Sequence, residues 1–516
     1  MPPSDASHRI YNLCAFLSLG PAICGYHIGL LPSLVVTPGF TSATRVNDAA
    51  SKFGVTALFY VGALISYLTL SPAVSDRLGR RYACVVGALV LSLGAAVEAC
   101  SSGLYSYLMM IVGRLLCGIG AAVIMTTVPV FQSEIATTDV RGRLVTLNQV
   151  GFIAGVAGGY GVGYTMSLWR TTWGLYLGWR IAVMVQYLPV FMFSVTLPFI
   201  SESPRWMVTK NDVDGARDTL TWLRHETHTT EQIEEELDDI RQNTIEYQSS
   251  LVSLALAPEL RPRLWRAGLL QFLSQVCGMA AIKHYLPPLV NALGIDMELA
   301  LTSHTIEETF RVGLTVAGMF IVDRYGRRIC LIAGSVIMAV SVLMVGLCVS
   351  ISRERGGAPL DILWITFILA YAVGYCIGIG PVSWIYTAEI FPNATRARGV
   401  NLATAAGAIG SLLISEMWTP GVPQNGGAKY YVFAAINAAA VPILWRYFPE
   451  TKGRSLEDMD AVFGSSVNGF QHISNSDDFD DNDIDLGDDS GSEFGSARDS
   501  IELQDYHNGR MKAIIV

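Results

Sequence analysis

The chain has 516 residues, of which 51% are hydrophobic and only 15% are charged. Soluble globular proteins carry about 25% charged residues, so this composition excludes an ordinary soluble enzyme with buried helices. The net charge of −9 is explained by an acidic stretch near the C-terminus. It therefore gives no information about a ligand, and we expect no nucleic-acid partner.

Twelve apolar segments follow one another along the chain, each close to the roughly 20 residues that cross about 30 Å of hydrocarbon. Six of them lie near residues 11–34, 53–73, 83–101, 104–130, 145–167 and 180–200. The other six lie near residues 264–292, 303–322, 329–351, 361–388, 398–417 and 429–448. This pattern is typical of an all-α membrane protein, with the lipid bilayer as its surroundings.

Basic residues mark alternate loops between these segments. DRLGRR (76–81), DVRGR (139–143), DRYGRR (323–328) and TRARG (395–399) are basic, whereas residues 101–107 and 418–428 carry almost no basic residues. Basic loops stay on the cytoplasmic side, so we expect both termini in the cytoplasm. The polar N-terminus leads straight into a full-length apolar segment, which is not the pattern of a cleaved signal peptide. The sequon at Asn393 would then be cytoplasmic and unmodified.

Two polar regions interrupt the apolar pattern. Residues 201–262 are charged, and the helical periodicity at 212–224 and 231–240 predicts short helices beneath the membrane. Beyond about residue 463 the chain is acidic, rich in Ser and Gly and poor in apolar residues. Such a composition cannot bury enough apolar surface to fold, so we predict a disordered tail.

The cysteines and glycines favour packing over chemistry. The nine cysteines are scattered through apolar segments without metal-ligand spacing, so we predict neither a metal site nor a disulfide framework. The glycine-rich run 151–163 is not preceded by a strand, as a nucleotide loop would be. Small residues at four-residue spacing are the usual means of close helix contact in lipid, which is the interpretation we prefer.

The chain repeats its motifs at nearly constant separation. Glu134 and Arg141 have the same spacing as Glu389 and Arg396 in the stretch GPVSWIYTAEIFPNATRARG (380–399). DRLGRR recurs as DRYGRR, and SESPRW (201–206) is echoed by FPETKGR (448–454). A duplicated membrane unit is the signature of secondary transporters that rock around a central site.

In this order, the motifs resemble the sugar porter family of the major facilitator superfamily, and in particular its fungal members, over about residues 10–460. The resemblance implies twelve transmembrane helices in two six-helix halves, 1–200 and 263–450, with short cytoplasmic helices. Residues 201–262 would form a cytoplasmic insert and residues 451–516 a cytoplasmic tail. It further implies a transporter, not an enzyme, without a cofactor, in the plasma membrane and functional as a monomer. Its cargo would be a sugar or sugar-like polyhydroxylated molecule, carried by alternating access, with proton coupling left open.

Several residues stand where the family binds its substrate. Gln149 in the fifth span matches a glutamine that binds hydroxyls, and Trp384 offers a flat face for a sugar ring. The seventh span, QFLSQVCGMAAIKHY, matches the family motif at Gln275 and Tyr285 but has Ser274 and His284 where the motif has a glutamine and a tyrosine. Ala280, Gly407 and Ala408 also replace larger family residues. The second half of the site has therefore lost part of its hydroxyl-binding set.

The resemblance also assigns a coupling pair. Proton-coupled relatives place an aspartate where this chain has His27, facing an arginine that corresponds to Arg114. Protonation of a histidine beside an arginine is disfavoured by like charge. A neutral hydrogen-bonding histidine and a proton switch both remain open.

A set of charged residues would form a gate at the cytoplasmic mouth. Ion pairs there would hold the halves together while the site faces outward. The gate residues are Asp76, Arg80, Glu134, Arg141, Glu202, Asp323, Arg327, Glu389, Arg396 and Glu450.

Arg311 lies unusually deep in the eighth span, about 18 Å along the helix from Asp323. A charge at that depth is costly unless it is paired or faces a cavity. Glu307 and Glu308 on the same helix face would neutralise it. Alternatively Arg311 binds a carboxylate on the substrate, which would make the cargo a sugar acid or hydroxy acid such as a uronate or quinate. A nutrient sensor that binds its ligand without transport is a further alternative.

Overall fold

The computed structural model describes residues 5–137, 139–225, 227–242, 257–258, 260–279, 297–355, 358–392, 395–417, 428–453, 459 and 463. Within these residues the regular structure is helical and contains no β-strand. His284 and Tyr285, the sequon at Asn393 and the acidic tail lie outside the described residues. The predicted boundaries at residues 200, 262 and 450 stay predictions.

The helices of the first half follow the apolar segments, several of them in two pieces. They are Asp5–Leu17, Leu19–Val35, Pro38–Thr44, Ala49–Leu68, Leu70–Leu78, Arg80–Ala99, Ser106–Ile135, Arg141–Ser167, Thr172–Val185, Tyr187–Thr196 and the 3-10 turn Leu197–Phe199. The polar region that follows contains Pro204–Thr209, Val213–Arg224 and Thr230–Gln242. The second half contains Arg261–Val276, Met297–Tyr325, Arg327–Arg355, Ala358–Ile377, Ile379–Glu389, Arg396–Met417 and Ala428–Tyr447.

Eight helical stretches in the described residues are long and apolar enough to cross a membrane. They are His8–Val35, Ala50–Leu68, Arg80–Ala99, Ser106–Ile135, Thr172–Phe199, Arg327–Ile351, Ile365–Glu389 and Arg396–Ser415. Arg141–Ser167, Arg261–Val276, Met297–Tyr325 and Ala428–Tyr447 stand at the remaining places in the order and are shorter or less apolar. We number these stretches as the first to twelfth spans along the chain.

The first and fifth spans are pressed together through glycines. A Cβ atom added to Gly155 would lie 1.9 Å from the carbonyl oxygen of Ala22, and one added to Gly25 would lie 2.0 Å from that of Phe152. Real Cβ atoms do not approach an oxygen so closely, so only glycine permits this backbone contact. The glycines at 151–163 therefore pack helices, as predicted, and they fix the depth of His27 between Gly25 and Gly29.

Each half has its own apolar core. One cluster is built from the first six spans and includes Leu30, Ile124 and Phe193, while another is built mainly from the later spans and includes Met338, Tyr386 and Phe433. The polar region between them has a third, small cluster where the two insert helices pack through Leu220 and Leu237. A further small cluster joins the halves, with Ala63, Tyr67 and Ala122 from the first half and Ala405 and Ala408 from the second.

Candidate functional site

A cavity of about 150 Å³ lies between the two halves. Pockets for drug-sized ligands measure about 300–1,000 Å³, so this volume favours a smaller molecule such as a single sugar ring. Its lining comes from the first, second, fourth and fifth spans on one side and from the seventh, tenth and eleventh on the other. The polar and aromatic lining residues are Phe59, Tyr60, Tyr67, Gln149, Phe152, Tyr160, Gln271, Ser274, Gln275, Tyr375, Trp384, Thr404 and Ser411.

Two predicted residues present open groups to this cavity. Gln149 is 4% exposed, and within the described part of the chain no hydrogen bond engages its amide. Trp384 belongs to a short helix, Ile379–Glu389, that begins after a break at Gly378. The break precedes Pro381, which has no N–H to donate and is suited to a first helical turn. An open amide and an indole across one cavity can bind hydroxyls and stack on a ring face.

The seventh span contributes a linked set of polar groups. The Ser274 hydroxyl donates to the carbonyl of Gln271 at 2.7 Å, and the Gln275 amide nitrogen lies 3.2 Å from that hydroxyl. The Ser411 hydroxyl donates to the Gln275 carbonyl oxygen at 3.0 Å. These bonds fix the orientation of the Gln275 amide toward the cavity. Gln271 also lines the cavity while its amide nitrogen bonds Thr387 at 3.2 Å.

Arg311 does not line this cavity. Its guanidinium donates to Glu308 at 2.6 Å within the same helix, and both side chains are fully buried. The guanidinium also lies 5.8 Å from the ring centroid of Tyr375, whose side chain does reach the cavity. Of the two interpretations of Arg311, the geometry supports internal neutralisation.

His27 and Arg114 lie together, with a third charged group that the sequence analysis did not single out. Arg114 Nη1 is 2.9 Å from His27 Nε2. Glu98 Oε1 lies 3.4 Å from the same nitrogen and 3.5 Å from Arg114 Nε. We call His27, Glu98 and Arg114 the buried triad, because each side chain is at most 3% exposed. An ionisable residue within an apolar window is itself a functional signal, and that signal would have found Glu98.

The predicted gate residues form two equivalent clusters at one end of the bundle, which we call the charged end. In the first half Arg80 bonds Glu134 through two nitrogens at 3.0 and 3.1 Å, and its backbone N–H donates to Glu202 at 3.0 Å. In the second half Arg327 bonds Glu389 at 3.0 Å, and its backbone N–H donates to Glu450 at 2.9 Å. Burial raises the pKa of the Glu202 carboxyl, against the effect of the N–H groups that bond it.

The sequence analysis predicted ion pairs that hold the halves together, and most of these pairs join residues of the same half. The cross-half pairs use other arginines: Arg398 donates to Asp76 at 2.6 Å, and Arg143 donates to Asp323 at 3.1 Å. Arg396 also approaches Glu134 at 4.0 Å. Arg143 and Arg398 end the repeated sequences RGR and RAR, so the duplication itself could have identified them.

The remaining gate residue, Arg141, is 2% exposed and lies at the start of the fifth span beneath the insert.

The tyrosines of the cavity were also missed by the sequence analysis. Tyrosine is common in transmembrane helices, and its position in the sequence does not show which face of a helix it occupies.

The sequence matches known proteins along almost its whole length. A family model described as "Sugar (and other) transporter" matches residues 13–463. An arabinose-proton symporter of Bacillus subtilis is 28% identical, over 86% of this chain and 93% of that protein. A glucose transporter of the major facilitator superfamily from Aspergillus flavus is 26% identical, over 90% of this chain and 92% of that protein. A high glucose sensor of Saccharomyces cerevisiae is 27% identical, over 88% of this chain and 60% of that sensor.

The fold is also that of solved transporters. The structure of the proton:xylose symporter XylE of E. coli, bound to 6-bromo-6-deoxy-D-glucose, matches with a TM-score of 0.78 and 21% identity, over 89% of this chain and 99% of that chain. At this identity the match speaks for the fold alone, and it confirms the predicted all-α fold of twelve transmembrane helices. Because the family model covers nearly the entire chain, the protein belongs to the sugar transporter family of the major facilitator superfamily.

Proposed function

We propose that the protein is a secondary transporter that carries a neutral sugar or polyol across a membrane by alternating access, together with a proton. The observation that carries this proposal is the cavity between the halves, lined by Gln149, Gln275 and Trp384. It is small, it combines open hydrogen-bonding groups with an aromatic face, and two ion pairs join the halves at the charged end. Such an arrangement suits a site that opens to one side at a time.

The relatives support a sugar as cargo and protons as the driving ion. The bacterial relative is named as an arabinose-proton symporter and the fungal relative as a glucose transporter. A probable polyol transporter of Arabidopsis thaliana is 27% identical over 89% of this chain and 86% of that protein. The substrates given in these names, arabinose, glucose and a polyol, are all neutral polyhydroxylated molecules.

The acid alternative is not favoured. It required the positive charge of Arg311 to be available to a substrate carboxylate, but Glu308 binds that guanidinium at 2.6 Å. The sensor alternative is also not favoured, because the symporters among the relatives match over most of their own length. Accumulation of substrate in vesicles separates a transporter from a sensor.

We further propose a plasma-membrane protein that works as a monomer, with both termini in the cytoplasm. The basic loops support this orientation, since the charged end carries the sequences DRLGRR and DRYGRR. The proposed activity has no bond-breaking step, so we place no catalytic residue and no enzymatic function in this chain.

The proposal is tested with purified protein in liposomes and a panel of radiolabelled sugars, polyols and sugar acids. We expect saturable uptake of a neutral sugar or polyol. Gln149→Ala should weaken apparent affinity by about two- to tenfold, since a hydrogen bond contributes about 0.5–1.5 kcal/mol. Trp384→Ala should cost more, because it removes a whole stacking face.

The matched control is Trp173→Ala, a tryptophan that is 68% exposed and does not line the cavity. It should leave the apparent affinity unchanged. Binding without any uptake or exchange in the wild type would show a sensor, and unaltered affinity in both cavity variants would show that the substrate binds elsewhere.

A further inference from the structure

The buried triad joins three helices inside the apolar part of the first half. His27 lies in the first span, Glu98 in the third and Arg114 in the fourth. The side chains are 2%, 1% and 2% exposed. Glu98 is one residue from the end of Arg80–Ala99 that is opposite the charged end, so the triad lies toward the other aqueous face. The adjoining Cys100 is exposed there. The carboxylate of the triad therefore lies near one end of the third span.

One charge state satisfies the 2.9 Å contact between Arg114 and His27. Arg114 can donate only, so a hydrogen bond across this contact uses the lone pair of His27 Nε2 and leaves the imidazole proton on Nδ1, which has no hydrogen-bond partner among the described residues. In that state the imidazole is neutral, and the single negative charge of Glu98 compensates the single positive charge of Arg114. The triad as a whole is neutral. A histidine beside an arginine is then acceptable in an apolar setting, because a carboxylate accompanies both.

Other titratable groups lie around the triad, and none of them is needed to compensate its charges. They are Cys117 on the fourth span, Tyr60 on the second, Tyr187 on the sixth, and Arg180, which bonds the carbonyl of Ala99. The donor atoms of His27, Glu98 and Cys117 lie within 4.8 Å of one another. We assign no metal to them, because the guanidinium of Arg114 already supplies the cation at this place.

We infer that Glu98 and His27 share the transported proton, so that in this chain the coupling carboxylate is on the third span and an imidazole on the first span links it to the cavity. This inference rests on the proposed function. The proton comes from the aqueous side and adds to a Glu98 oxygen or to His27 Nε2, which are 3.4 Å apart, and no other bond is made or broken. The triad then changes from neutral to a net charge of plus one, and it returns to neutral when the proton leaves on the other side.

Either position of the proton weakens the contacts of Arg114. A proton on His27 Nε2 removes the lone pair that Arg114 uses, and a proton on Glu98 removes its counter-charge. The change reaches the cavity through Phe59, whose ring stacks on His27 at 5.8 Å and lines the cavity beside Tyr60. Ile28 and Gly29, the next residues after His27, line it as well. The first and fourth spans carry triad residues and also line the cavity, so protonation and sugar binding act on two shared helices.

The test uses the full-length protein in liposomes loaded with a pH indicator, with radiolabelled sugar outside. In the wild type we expect sugar entry to acidify the lumen. Glu98→Gln should lower the number of protons carried per sugar by about tenfold or more, within the range typical of coupling free energies. Glu231→Gln, a matched change of an exposed carboxylate on the insert, should leave the ratio unchanged. The double variant His27→Asp/Glu98→Gln, which moves the carboxylate to the first span, should restore it.

An infrared titration of the purified protein supplies a second readout that does not require transport. We expect the spectrum of the wild type minus that of Glu98→Gln to contain a protonated-carboxyl band that grows as pH falls. A Glu98→Gln variant with the wild-type ratio overturns the inference while the proposed function stands. A wild type that exchanges sugar without moving protons overturns both the inference and the proposed proton coupling, while the proposed sugar transport stands. If the wild type exchanges no sugar, the proposed function has failed, and the infrared band alone decides whether Glu98 binds a proton reversibly.

Discussion

Two buried arginines of the apolar zone each have a carboxylate beside them. Glu308 neutralises Arg311, and Glu98 neutralises Arg114. An uncompensated charge at this depth costs several kcal/mol, so pairing is the condition under which these residues persist. Sequence spacing alone predicted the first pair, because its members are three residues apart on one helix. It did not predict Glu98, because contacts between different helices depend on their rotation, which periodicity does not fix.

The Arg311–Glu308 pair predicts strong non-additivity. Arg311→Gln leaves the buried Glu308 carboxylate without the cation that bonds it, and Glu308→Gln removes the carboxylate bonded to Arg311, so each should destabilise the protein by about 3–5 kcal/mol. The double variant replaces the pair by two amides that can bond each other, so it should recover much of that loss. This double-mutant cycle is measured by thermal unfolding of the purified wild type, the two single variants and the double variant in detergent.

The same variants test the role of Arg311 toward substrate. The double variant should keep the wild-type order of preference among neutral sugars and sugar acids, since the guanidinium does not line the cavity. A double variant that folds well but loses preference for a uronate over its neutral counterpart would contradict internal neutralisation. Equal destabilisation by single and double variants would show that the pair is not coupled.

At the scale of elements, the helix contacts that shape the site depend on residues whose roles could be predicted to different degrees. The four-residue glycine spacing of the fifth span predicted close packing, and the structure locates the partner in the first span. The tenth span is interrupted at Gly378, where the backbone leaves the helical region, and not at the nearby Pro381. A proline tolerates the first turn of a new helix, so the change of direction falls before it.

The glycine contact predicts a sharp difference between neighbouring positions. Gly155→Ala would place a methyl group 1.9 Å from the carbonyl oxygen of Ala22, which forces the first and fifth spans apart. Gly158→Ala would meet only the ring of Tyr26 at 3.8 Å, an ordinary contact. We expect the first variant to lower the melting temperature and the yield of folded protein, and the second to change neither. Size-exclusion chromatography and thermal unfolding provide the measurement, and matching losses in both variants would contradict the close contact.

Across the whole molecule, duplication repeats the charged end almost contact for contact. Arg80 with Glu134 and Glu202 has its counterpart in Arg327 with Glu389 and Glu450. The sequence predicted which residues lie there, because the motifs repeat in order. It did not predict which of them cross between the halves, since each motif contains several arginines and carboxylates within reach of one another. The fold and the members of the clusters were thus accessible from sequence, whereas their pairing required coordinates.

The cross-half pairs predict how the two access states are balanced. Arg143→Gln and Arg398→Gln each remove one bridge between the halves, while Asp323 and Asp76 keep their arginine neighbours in their own halves. Partly exposed ion pairs contribute up to about 1 kcal/mol each, so each variant should shift the equilibrium toward opening at the charged end by up to about fivefold. The two pairs share no residue, so the double variant should shift it by the product. Glu234→Gln removes a pair of similar length within the insert, at 2.7 Å, and is the matched control that should shift nothing.

Native Cys24 reports this balance, because it lines the cavity and is buried while the charged end is closed. A membrane-impermeant maleimide is applied to sealed vesicles of either orientation, and peptide mass spectrometry distinguishes Cys24 from the other cysteines. We expect faster labelling from the charged end in the arginine variants, slower labelling from the opposite end, and a smaller effect of all variants at high salt, since partly exposed charges are screened. If the double variant is labelled from each end at the same rate as the wild type, the ion pairs do not stabilise either access state. Closure of the charged end would then depend on apolar packing.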